Sequence, residues 1–77
     1  MKAYRVSWIY LDMRDVARYA EKPRPFRYLT EAESAVVSIQ QDPGVISVMI
    51  DEVTMEEPDK VIGPVYHKAF PERCLSD

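Results

Sequence analysis

Residues 29–53, LTEAESAVVSIQQDPGVISVMIDEV, decide how the chain folds. Thr30 and Glu33 have the Thr-x-x-Glu spacing of a capping box, where each side chain accepts the other residue's free backbone N–H. Ala32, Ala35, Val36 and Ile39 follow at i, i+3, i+4 and i+7, one apolar stripe at helical period. Asp42-Pro43-Gly44 ends the helix, because proline drives its predecessor out of the α region and glycine takes backbone angles other residues avoid. Val45 to Val53 then reads as a strand rich in β-branched residues, with Ile46, Val48 and Ile50 on one face.

Outward from this centre, Lys2 to Leu11 alternates Tyr4, Val6, Trp8 and Tyr10 with Ala3, Arg5, Ser7 and Ile9. That is a strand whose aromatic face covers the helix stripe. Asp12 to Lys22 carries Met13, Val16, Ala17 and Ala20 at helical spacing, with Asp12 as N-cap, and predicts a short helix of two to three turns. The competing reading is a long hairpin loop leading to a strand at Arg24–Leu29. Glu56-Glu57-Pro58-Asp59 is a turn, and Lys60 to Lys68 a last strand. Pro64 places that strand at a sheet edge or bulge, since proline cannot donate to a ladder. Residues 69–77 show no periodicity and read as a loose tail in which Phe70 alone docks. The expectation is a single α+β domain over residues 1–77. It has an antiparallel sheet of three or four strands with one main helix on one face, and a short helix at 12–22 as an option.

A chain of 77 residues buries only roughly 60% of the surface its unfolded form exposes, so its stability is marginal. Small folds add disulfides, metals or partner subunits. The one cysteine, Cys74, and the one histidine, His67, supply neither a disulfide nor a zinc site. Association remains, and the reading leans to a homodimer or a bound partner protein. No run approaches the ~20 apolar residues of a membrane helix. Charges at Lys2 and Arg5 interrupt any export signal, which with a lone thiol suggests the cytoplasm.

Little in the sequence points to catalysis. A Cys74–His67 pair has no family signature, Gly44 and Gly63 sit in no phosphate-cradling loop, and no cofactor is implied. The acidic run Asp51, Glu52, Glu56, Glu57 and Asp59 lacks calcium-loop spacing and reads as a solvated turn or a patch for a basic partner.

The net charge of -3 hides an asymmetry. Seven cations and three acids lie up to Leu29, against three cations and ten acids from Thr30 on. Such a division signals either a polyanion site or mutually attractive surfaces, unless folding interleaves the two signs. Arg14, Arg18, Lys22, Arg24 and Arg27, interleaved with Tyr19, Phe26 and Tyr28, form a basic-aromatic stretch suited to phosphates and unpaired bases. Against it, the pI near 5.1 lies far below the value above about 9 usual for nucleic-acid modules.

The functional expectation is therefore a non-catalytic protein-binding module. It would use Arg14, Arg18, Lys22, Arg24, Arg27 and Tyr28, or the acidic patch, to occlude a larger partner as an inhibitor or adaptor. In size and class it resembles the small inhibitors that phages and mobile elements encode against host defence complexes. Nucleic-acid binding through residues 14–28 is the alternative, and the two differ in their response to salt.

Overall fold

The computed structural model describes residues 1–73. Its elements run β1 (Lys2–Leu11), β2 (Ala17–Glu21), α1 (Leu29–Gln40), β3 (Val45–Thr54) and β4 (Val61–Ala69), ending in a 3-10 turn, Pro71–Arg73. The four strands form one sheet in the order β2-β1-β3-β4, every neighbouring pair antiparallel, with α1 across one face. This is the small α+β architecture that the alternation in β1 and β3 and the stripe in α1 dictate.

The core lies between α1 and the two central strands. Val6, Ala32, Val36, Val45, Val48, Ile50 and Phe70 are buried there, with Tyr4, Trp8, Tyr10, Phe26, Leu29, Ala35 and Ile39 half-buried around them. A bulge refines the expected pattern. Ile9 pairs with Ser47 but Tyr10 pairs with Val45. Ile46 is the extra residue, and Val45 takes its place in the core.

Residues 12–22 are not a helix. They are a tight hairpin turn followed by β2, so the helical spacing of Met13, Val16, Ala17 and Ala20 is coincidental: Met13 and Val16 are exposed. The Asp12 carboxylate organises the turn. Its Oδ1 accepts the N–H groups of Arg14 (2.8 Å) and Val16 (3.0 Å), and its Oδ2 accepts Arg18 Nε at 2.9 Å. Asp15 closes the turn in the left-handed region at φ 60, which Asp and Asn tolerate better than most residues. Nor is Arg24–Leu29 a strand. Phe26 makes one two-bond bridge to Tyr4 (2.7 Å each way), and the segment then turns into α1.

The Asp12 carboxyl is held below its ordinary pKa, chiefly by the Val16 N–H, then by the Arg18 side chain and the Arg14 N–H. A depressed folded pKa stabilises the hairpin above the unfolded value and loses that contribution as pH falls through the folded one. Acidification from about pH 4 is therefore expected to release the Val16 and Arg14 amides to exchange before the sheet centre opens. Amide exchange across an acid series measures this, and simultaneous loss of hairpin and centre would refute it.

The capping box does not form. The helix starts at Leu29, one residue before the expected cap. Tyr28 is the N-cap with no side-chain bond, its carbonyl accepting the N–H groups of Glu31 and Ala32. Burial of Leu29 draws the first turn inward and leaves Thr30 inside the helix. At the other end Gly44 has no left-handed φ. Its role is close approach: a Cβ there would sit 3.3 Å from Asp42 Oδ1 and 3.5 Å from the Leu11 carbonyl.

The segment expected to be a loose tail begins as part of the fold. Ala69 completes β4, Phe70 is 7% exposed, and Arg73 Nη1 reaches the carbonyls of Gln40 (3.1 Å), Asp42 (3.2 Å) and Val45 (2.9 Å). The Arg73 guanidinium also lies 4.3 Å from the centre of the Phe70 ring. A distant cation thus caps the last helical carbonyl, that of Gln40, and ties it to the turn and the start of β3.

Candidate interaction surfaces

β4 is the most exposed element of the sheet. Val61 (43%), Ile62 (57%), Val65 (41%) and Tyr66 (40%) present apolar surface along one edge. Pro64 stands opposite Asp51, and the register slips at Val65 and again at Ile62. Proline and bulges are devices that blunt an edge against strand addition. The edge is therefore a poor template for backbone pairing, whereas the apolar side chains remain available.

Beside this edge, α1 packs on β1 and β3 and not on β4. A cleft of about 150 Å³ opens between helix and edge strand, lined by Glu33, Val36, Val37, Gln40, Ile50 and Tyr66. Val37 is 54% exposed on its rim. The Gln40 Oε1 atom is sealed from solvent and has no hydrogen-bond donor among the described residues.

The basic-aromatic stretch is strung out rather than gathered. Arg14 sits in the turn beyond Leu11, while Phe26 lies opposite Tyr4. Those points are seven strand positions apart, roughly 23 Å at the usual rise. Arg18 is committed to Asp12, and Phe26 packs against the core. Arg14, Lys22 and Arg24 form no ion pair among the described residues. Tyr28 is 58% exposed, with the Arg27 guanidinium 5.8 Å from its ring centre.

The acidic run is also divided. Asp51 faces Arg5 at 3.9 Å and Glu52 faces Lys2 at 3.9 Å, both from within β3. Glu56 meets the terminal amino group at 3.2 Å. Its own backbone N–H first, and that amino group second, hold its carboxyl below the ordinary value. Glu57 and Asp59 are left exposed in the β3–β4 turn. Arg5 also approaches Glu21 at 3.6 Å and donates to the Pro58 carbonyl at 3.3 Å, pinning that turn to the sheet. Folding thus interleaves part of the charge. Arg14, Lys22 and Arg24 near β2, and Glu31 and Glu33 on α1, stay outside the ion pairs of the described residues.

One pairing was not legible in the sequence. Ser47 Oγ and His67 Nε2 lie 3.1 Å apart across β3 and β4. Their 20-residue separation gives no local signal, and only the β3–β4 register brings them together. Among the described residues no third group is bonded to the His67 ring to orient it as a base. Cys74 lies outside the described residues, and so does the Cys74–His67 pair.

No family model, curated protein or solved structure matches the chain. No helix among the described residues is long and apolar enough to cross a membrane.

Proposed function

We propose that the protein is a non-catalytic binding module that acts by covering a surface of another protein or of a second copy of itself, as a small inhibitor or adaptor does. The observation that carries this reading is the exposed apolar residues of edge strand β4, Val61, Ile62, Val65 and Tyr66, at a sheet edge that α1 leaves uncovered. The shape agrees. The molecule is elongated, 45 × 20 × 18 Å, and its radius of gyration of 13.0 Å exceeds the roughly 11.5 Å of a compact chain this long. Unburied apolar area on such a shape gains by docking.

The test is the double substitution Ile62→Glu with Tyr66→Glu. Ile62 is 57% exposed, and its change is expected to alter folding stability by no more than about 0.5 kcal/mol. Tyr66 also packs beside Val36 and Ile50, so circular dichroism is used to check that the variant stays folded. Sedimentation at high micromolar concentration and affinity capture from the native cell are expected to show association by the parent chain and its loss in the variant. A parent chain that stays monomeric and retains nothing would overturn the proposal.

Nucleic-acid binding is the second reading, carried by exposed Arg14, Arg24 and Tyr28 with half-buried Lys22. Retention of single-stranded probes that falls steeply with salt and is unaffected by the β4 changes would assign it instead.

A further inference from the structure

We propose that the cleft between α1 and β4 receives an arginine side chain presented by a protein partner, an inference that rests on the protein-binding reading. At about 150 Å³, the cleft is smaller than the roughly 300–1,000 Å³ of small-molecule sites. It suits one extended side chain. Val36, Val37, Ile50 and the Tyr66 ring offer apolar wall to an aliphatic stem. The polar groups are chiefly acceptors in search of a donor. Glu33 supplies an exposed carboxylate outside any ion pair of the described residues, and Gln40 Oε1 is buried with no donor.

A buried acceptor without a donor is costly, and an entering N–H relieves it. The Gln40 amide turns readily about its terminal bond, so its oxygen can meet a group arriving through the cleft. The one charged group of the lining, the Glu33 carboxylate, chooses the sign of the guest, and α1 carries no basic residue to oppose it. Guanidinium fits better than ammonium. It is planar, weakly hydrated, rich in donors and able to lie against the Tyr66 ring while reaching both acceptors.

Amide NMR titration of the 15N-labelled chain tests this with two short acetylated peptides. One carries arginine between valines, and its twin carries citrulline, which keeps the shape and removes the charge. The arginine peptide is expected to shift Val36, Val37, Gln40, Ile50 and Tyr66 saturably and to bind about tenfold more tightly than the twin. Glu33→Gln is expected to erase that difference, whereas Glu31→Gln, on the same helix outside the cleft lining, keeps it. Equal binding of the two peptides, shifts elsewhere, or indifference to Glu33→Gln would overturn the inference. A partner protein that is lost with the β4 double substitution yet retained by Glu33→Gln would overturn it as well, and would leave the binding-module reading standing.

Discussion

Replacing Ile50 by alanine is expected to lower folding stability by about 3 kcal/mol. Ile50 is 1% exposed and belongs to the core between β3 and α1. Truncation removes the transfer energy of its methyl and methylene groups and leaves a void that flanking β-strands cannot close. A domain of this length has roughly 5–10 kcal/mol in total, so the loss is a large fraction. It corresponds to a melting temperature lower by about 12–24 °C. Urea unfolding by circular dichroism measures it. Ile62→Ala is the control, because Ile62 is 57% exposed and stands at a register slip. That change is expected to stay within about 0.5 kcal/mol. Comparable losses at the two positions would mean that the core is not where the burial places it.

Arg73→Ala is expected to cost about 2 kcal/mol, near the middle of the range for hydrogen bonds made by a charged group. The carbonyls of Gln40, Asp42 and Val45 lose the guanidinium at once, Asp42 keeping the Val45 N–H, and Phe70 loses the cation over its ring. Arg73→Lys keeps the charge near the helix end but not the planar fork, and is expected to cost roughly half as much. Faster amide exchange at Val45 and Phe70 in the alanine variant would locate the effect at the clamp. An unchanged melting temperature would show that the guanidinium contributes no stability there.

These two positions differ in how far sequence alone reveals them. Ile50 is plain, because strict alternation from Val48 onward marks its face, and β1 is legible for the same reason. Arg73 is not, since its partners lie 28 to 33 residues away and nothing nearby announces them. The region 12–22 misled by pattern. Four apolar residues at helical spacing look amphipathic, but the Asp12 carboxylate had already committed the backbone to a turn, and Asp15 completed it. Thr30 and Glu33 misled in the same way, where burial of Leu29 outweighed a local capping signal. Pro64 was read correctly as an edge marker. The cleft was invisible, for it depends on which strand the single helix fails to reach. Of the charged stretches, the residues were legible but their dispersal was not, because the register of β1 with β2 and β3 sets which charges meet.

The pairing of β1 with β3 also has a consequence for assembly. The middle of the sheet joins the chain's opening residues to partners more than forty positions later, as Val6 does with Ile50. The β1–β2 and β3–β4 hairpins are local enough to form early, whereas contacts as remote as those of β1 with β3 slow the search. A growing polypeptide therefore holds β1 without its central partner until β3 has followed it, which makes that interval a time of exposure to aggregation and proteolysis.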